Sequence, residues 1–332
     1  MRKKLSESTE HSLFVRTATA LVLVAVGVPA ATLGGWFLLA LSFVAVGFAA
    51  YEILALPGRK RYNIGIWILT YVAMYSLVYW QFLKPTETRT LLLQGNFFYL
   101  NGFNVSVIAI SVYLCLLFLA SFFWQNFRIE DVFYLFTMVL LVSLGFYSIL
   151  FLRYFPPFLA GQTAYGKWRG FIWDPSSCLL LWFVLLSVWA GDTGAYLTGI
   201  FFGKNPMNPR ISPHKTWEGF FGGAALSIVF SFSYVAIFDY ALGYPLLPGV
   251  FDVRSNPLDW LWVLFFAFLI PVLDNIGGFM FSAVKRKYGA KDWGKVFPGH
   301  GGVLDRFDSV LVTSIAVAII VIITFNNWRF IS

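Results

Sequence analysis

The stretch Ser282-x-x-Lys285-Arg286-x4-Lys291-Asp292-x-Gly294-x3-Pro298-x-His300-Gly301-Gly302-x-x-Asp305-Arg306-x-Asp308 gathers three chemical devices into one short segment. Pro298 to Gly302 reads as a turn whose glycines can offer backbone N–H groups to an anion, with His300 as a further donor. Asp305 and Asp308 stand three apart at the mouth of the last helix, so both face one side of it. Two such carboxylates beside an anion-binding turn suit a hard cation such as Mg²⁺ that bridges phosphates. Lys285, Arg286, Lys291, Lys295 and Arg306 supply positive charge for a triphosphate or a lipid phosphate. Each piece alone has a plainer reading. Asp305-x-x-Asp308 is also a capping box, the basic cluster a head-group contact, and the Pro-Gly pair a simple turn. Together, at this spacing and on one loop, the plainer readings lose to a phosphate-handling site.

The elements that must position this loop are membrane helices. Of 332 residues, 59% are apolar and only 12% charged, against about 45–50% and about 25% in an ordinary soluble domain. That leaves too little polar surface to cover a water-soluble globule, and it excludes disorder, collagen and coiled coil. Nine apolar runs are long enough to cross a bilayer, near 13–33, 35–56, 64–83, 103–124, 132–152, 178–202, 219–241, 259–282 and 309–328. The expected fold is therefore all-α: a polytopic integral membrane protein of about nine transmembrane helices. Residues 1–175 supply the N-terminal and middle helices, and 176–332 a C-terminal catalytic region with motif loops 203–218 and 283–308. Glu7 and Glu10 argue against a cleaved signal in the first run. Cys115 and Cys178 both fall in apolar runs, which offers neither a disulfide framework nor a zinc site.

Orientation follows from the basic residues. With the N-terminus cytoplasmic, the inner connections hold 16 Lys and Arg and the outer ones 7, the latter including Arg153. The positive-inside rule then places the C-terminus outside. The net charge of +8 reflects these inner loops and a phosphate-bearing ligand, not nucleic acid. The long outer connections at about 84–102 and 153–177 carry no readable chemistry.

Asp192, after Trp189-Ala-Gly191, and Asp274, after Ile270-Pro271-Val-Leu, fall deep inside apolar spans. A carboxylate at bilayer depth costs about 2.5–3.5 kcal/mol on insertion scales, so it is kept for a partner or a ligand. The plain alternative is a buried pair that holds helices together. Small neighbours Gly191, Gly194 and Ala195 leave room beside Asp192. Pro271 and the pair Gly277-Gly278 are expected to break the eighth span near its cytoplasmic face, and Gly199-x-x-x-Gly203 reads as a weak helix-packing motif.

The long motif from Ser282 to Asp308 resembles the signature of the CDP-diacylglycerol synthases, also called phosphatidate cytidylyltransferases. Ser212-Pro213-His214-Lys215-Thr216-Trp217-Glu218-Gly219 is similar to that family's second cytoplasmic motif, and Asp192 to Tyr196 through Gly203-Lys204 to the helix before it. The early Glu52 also fits the family's N-terminal region. The likeness is sharp over about 189–309 and hydropathic elsewhere. Two departures stand out: His214 where the family has a base such as Lys, and Gly277-Gly278-Phe279 where the family typically reads Gly-Asp-Leu. Asp274, four residues before Gly278 and one helical turn away, is the candidate stand-in.

The resemblance implies transfer of CMP from CTP to phosphatidate, giving CDP-diacylglycerol and pyrophosphate. It implies Asp305, Asp308, Lys215 and Asp192 as catalytic groups, and Mg²⁺ on Asp305, Asp274 and Asp192, with a second metal ion left open. Substrate contacts are expected from Lys204, Ser212, Lys215, Ser282, Lys285, Arg286, Lys291, Asp292, His300, Gly301, Gly302 and Arg306. CTP, phosphatidate and the lipid bilayer are the expected partners, in the inner membrane if the chain is bacterial. A homodimer is an expectation from the family alone. The alternatives are the same chemistry on another lipid phosphate, a CTP-dependent lipid kinase, and a catalytically impaired membrane homologue because of Gly278.

Overall fold

A computed structural model describes residues 7–58, 61–79, 105–159, 176–247 and 251–325. Its α-helices are α1 (Glu7–Leu33), α2 (Gly35–Ala55), α3 (Ile64–Tyr79), α4 (Val105–Phe123), α5 (Ile129–Leu159), α6 (Ser176–Phe202), α7 (Trp217–Val235), α8 (Trp260–Lys287) and α9 (Leu304–Phe325). Seven of them are long and apolar enough to cross a bilayer, whereas α3 and α4 are shorter apolar helices. Among the described residues there are nine α-helices, and the expected runs 64–83 and 103–124 extend beyond those residues. The outer connection 84–102, and most of 153–177, lie outside the described residues.

The helices share one core rather than two. α5 runs through its centre, with Leu135, Val142 and Leu150 wholly buried, and α9 packs on it through Phe307 against Phe146. Leu311 lies over Gly145, a close approach that a larger residue at 145 would prevent. The α6–α7 crossing is closer still: a Cβ on Gly194 would stand 3.0 Å from Gly222 O and from Gly223 Cα. Small residues that let backbones touch are the usual device for packing helices in lipid.

Polar staples fix the two ends of the bundle. At one end the Arg61 guanidinium donates from Nε to Asp131 Oδ1 (2.9 Å) and from Nη2 to Oδ2 (3.0 Å), and Tyr62 OH donates to the same carboxylate. Tyr288, just past α8, stacks edge-on against Tyr134 of α5 at 5.0 Å, so these connections and the end of α8 lie at one end. At the other end Arg153 donates to Ala31 O (2.8 Å) and Thr32 O (2.7 Å). Arg153 therefore corrects one expectation. It is not a residue of an outer loop but a buried side chain of α5 that holds the carbonyls at the end of α1.

Two more expectations are corrected. α8 continues through Pro271, Gly277 and Gly278, so the helix does not break there. The segment 203–218 is not irregular: β1 (Pro206–Asn208) and β2 (Ser212–Thr216) form a small antiparallel hairpin, pairing Pro206 with Thr216 and Asn208 with Ser212.

Candidate active site

The last connection is organised by a residue far away in sequence. Glu52, near the end of α2, is fully buried; its Oε1 accepts from Val303 N–H and its Oε2 from Leu304 N–H, both at 2.8 Å. Those are donors that the start of α9 would otherwise leave unpaired. A Cβ on Gly294 would lie 2.6 Å from Glu52 Oε1, and one on Gly302 would overlap it, so both glycines make room for the carboxylate. Glu52→Ala strands two buried N–H groups, and is expected to lower stability by about 3 kcal/mol or more. Thermal unfolding of the purified protein measures this, with Glu52→Gln falling between the two.

Asp305, in the first turn of α9, is equally engaged. Its Oδ1 takes the Lys285 ammonium at 2.7 Å, and its Oδ2 accepts from Trp293 N–H (2.8 Å) and Gly302 N–H (2.9 Å). Both partners of the ion pair are nearly buried, the side chains 10% and 5% exposed. Thus Asp305 ties the end of α8, the middle of the loop and the start of α9 together. The turn between them is tight: Phe297 N–H donates to Gly301 O at 2.8 Å, and Gly299 and Gly301 sit at φ +75° and +86°, where a side chain would be strained. His300 Nδ1 is buried there with no hydrogen-bond partner among the described residues.

The other carboxylates lie deeper, where the start of α9 packs on α8 beside Gly277. Asp192 of α6, Asp274 of α8 and Asp308 of α9 lie within electrostatic reach of one another, and Lys215 of β2 faces all three. Asp274 is 4% exposed, with Oδ2 beside Gly191, and its Oδ1 has no hydrogen-bond partner. Asp192 is exposed, and Arg306 is its second cation.

Lys215 reaches this cluster because Gly278 lets it. A Cβ on Gly278 would stand 2.6 Å from Lys215 Nζ, which also donates to Asn275 Oδ1 (3.4 Å) and lies 5.0 Å over the Phe279 ring. Glycine inside a helix costs about 1 kcal/mol relative to alanine. Gly278→Ala is therefore expected to fold at least as stably, yet to lose about tenfold in kcat/KM as the ammonium is displaced, a barrier change of about 1.4 kcal/mol. A stable variant with wild-type kinetics would show that the ammonium's place is immaterial.

The remaining candidates fall around this centre. Arg286 is a bridge: Nε donates to Ile211 O (3.2 Å) and Nη1 to Ala290 O (3.0 Å), which docks the hairpin on the end of α8. Arg306 Nε donates to His300 O at 3.0 Å. Lys204 contributes its backbone N–H to Glu218 Oε2 (3.1 Å), and its side chain is exposed, as are Lys291 and Asp292. Ser212 begins β2, and Ser282 lies half-buried on α8 one turn from Gly278. Thr216 Oγ1 caps α7 by accepting from Gly219 N–H at 3.1 Å.

For a divalent cation, the donor chemistry is divided. Among the described residues no three His, Cys, Asp or Glu side chains already converge as a cage. Asp274 Oδ1, buried without a hydrogen-bond partner and within electrostatic reach of Asp192 and Asp308, is a donor that suits a divalent cation. Asp305 fits poorly, since Lys285 and two backbone donors occupy both of its oxygens. Of the expected Asp305, Asp274 and Asp192, the last two lie within electrostatic reach of Asp308, while Asp305 is paired with Lys285.

With this geometry in view, comparison with known proteins is informative. The sequence profile of the cytidylyltransferase family matches residues 14–324. A phosphatidate cytidylyltransferase of Bacillus subtilis is 28% identical over 236 residues, covering 71% of this chain and 72% of that protein. One of Thermotoga maritima is 40% identical over 129 residues, 39% of this chain and 43% of that protein. One of Staphylococcus epidermidis is 41% identical over 130 residues, 39% of this chain and 44% of that protein. The two stronger identities therefore span less than half of those relatives. The match across nearly the whole chain, on a bundle that gathers basic and acidic groups at one end, places this membrane protein in the cytidylyltransferase family.

Proposed function

We propose that this chain joins CTP and phosphatidate into CDP-diacylglycerol and pyrophosphate. One observation carries it: in a chain of the cytidylyltransferase family, the hairpin's Lys215 comes within electrostatic reach of Asp192 and Asp274 inside α6 and α8 and of Asp308 near the start of α9. A site between membrane helices and beneath a polar hairpin is within reach of a lipid from the bilayer and of a nucleotide from water. In the reaction a lipid phosphate oxygen attacks the α-phosphorus of CTP, forming one P–O bond as the bond to the β-phosphate oxygen breaks. Both reactants are polyanions, so the barrier that the protein can lower is mainly electrostatic.

Lys215 and Arg306 neutralise phosphate oxygens, and the Pro298–Gly302 turn, with His300, offers further donors. Lys285 and Asp305 hold that turn in place, while Arg286 holds the hairpin against it. Asp274, Asp192 and Asp308 are the residues that would hold Mg²⁺. Bound there, the ion would neutralise charge on the nucleotide's phosphates. No side-chain nucleophile is required. The inner loops face the cytoplasm, the C-terminus lies outside, and the protein works as a homodimer. Purified protein given CTP labelled in its α-phosphate and phosphatidate is the test. Label in the lipid together with pyrophosphate supports the proposal, labelled CDP alone means a kinase, and no turnover sinks both.

A further inference from the structure

The first helix touches the last connection at its most constrained point. Thr19 Oγ1 of α1 lies 3.2 Å from Pro298 O, its hydroxyl shared with Val15 O of its own helix at 2.8 Å. One turn earlier the Arg16 side chain lies directly over Gly299: a Cβ there would meet Arg16 Cγ at 2.7 Å and Nε at 3.6 Å. Gly299 has φ +75°, so its missing side chain serves both the turn and the passage of the arginine. The turn is thus held between two arginines, Arg16 over Gly299 and Arg306 at His300 O. Among the described residues no carboxylate pairs with Arg16, and its side chain is exposed.

Arg16 also stands where lipid arrives. The apolar span of α1 begins at Val15, so the guanidinium sits at the margin of the hydrocarbon. Of the described α1 side chains beyond it, only Ala30 and Ala31 are buried; the others remain wholly or partly open to lipid. An arginine at such a margin extends its head group toward the interface, where phosphate groups of lipids lie. Arginine's planar fork suits a phosphate monoester, which a phosphodiester lipid does not present.

We propose that Arg16 and the Pro298–Gly302 turn form the receiving site for the phosphate monoester of the lipid substrate, on the α1 side of the turn. This rests on the function proposed above and adds a residue that the motifs do not include. The nucleotide's phosphates are the other source of the same chemistry, and they are assigned to the Lys215 and Arg306 side.

The test compares Arg16→Gln and Arg16→Lys with wild type in mixed micelles, varying phosphatidate and CTP separately. Arg16→Gln is expected to raise the apparent KM for phosphatidate about tenfold and leave that for CTP within about twofold. Arg16→Lys should recover part of the loss, because it keeps the charge but not the fork. Equilibrium binding of dioctanoyl phosphatidate without CTP should weaken in the same order. A rise in the KM for CTP instead, or unchanged lipid kinetics and binding, overturns the assignment. If wild type shows no transfer, the proposed function fails by itself. Binding of dioctanoyl phosphatidate then still decides on Arg16: loss in Arg16→Gln upholds the phosphate site, and equal binding refutes it.

Discussion

Asp305→Asn is expected to abolish turnover and also to destabilise the protein by about 3–5 kcal/mol, the cost of stranding one member of a buried ion pair. The stranded member is Lys285, itself 8% exposed. The amide cannot repair the site by turning. Whichever way it faces, its NH₂ group meets a donor, either the Lys285 ammonium or the N–H groups of Trp293 and Gly302. The loop that carries His300 and Arg306 then loses its anchor. Lys285→Met combined with Asp305→Asn removes both charges, and is expected to recover much of the stability while remaining inactive. Thermal unfolding and CTP-dependent pyrophosphate release, measured on the same preparations, separate the two effects. A single variant that keeps more than about a tenth of the rate, a barrier change of about 1.4 kcal/mol or less, would remove Asp305 from any essential role.

That dual role was only half legible in the sequence. Asp305 was readable as a member of a phosphate-handling motif, because its neighbours Arg306, Asp308, Gly301 and Gly302 are local. Its ion pair with Lys285 spans 20 residues, and Glu52 reaches Val303 across 251. No periodicity encodes such partnerships. Glu52 was visible only as an early acidic residue that fits the family's N-terminal region, and its partners Val303 and Leu304 were not visible. The helices were legible because lipid demands long apolar runs, yet α9 begins at Leu304 where hydropathy placed it near 309. Its first five residues hold Asp305, Arg306 and Asp308, and charge at the start of a helix reads as loop. Pro271 misled in the other direction: a proline suggests a break, but within a membrane bundle the helix carries through it. The weak Gly199-x-x-x-Gly203 signal falls at the edge of the α6–α7 crossing, where a Cβ on Gly219 would stand 3.6 Å from Gly199 Cα. Gly199 and Gly203 face Thr216 at the cap of α7, whereas Gly191 and Gly194 meet Gly222 and Gly223 at the crossing.

Asp274→Asn is expected to reverse the usual relation between stability and activity. The carboxylate is buried on an unbroken helix, one oxygen has no partner, and Asp192 and Asp308 face it. Lys215 offsets part of that repulsion and is shared among all three acids. Such an arrangement weakens the resting protein and is kept for what it binds. The amide has the same shape and removes one negative charge from the cluster, so the melting temperature should stay level or rise. Turnover should nonetheless fall on the order of 100-fold or more, a barrier increase of about 2.7 kcal/mol or more. Divalent cation supplies an independent reading. An ion held by the folded protein alone stabilises it by about 2.7 kcal/mol at 100 times its dissociation constant. Wild type should therefore melt higher with Mg²⁺ than without, and Asp274→Asn should lose most of that increment. If the variant melts lower and responds to Mg²⁺ as wild type does, Asp274 is a structural carboxylate. The cation, if the reaction uses one, would then be held by other groups.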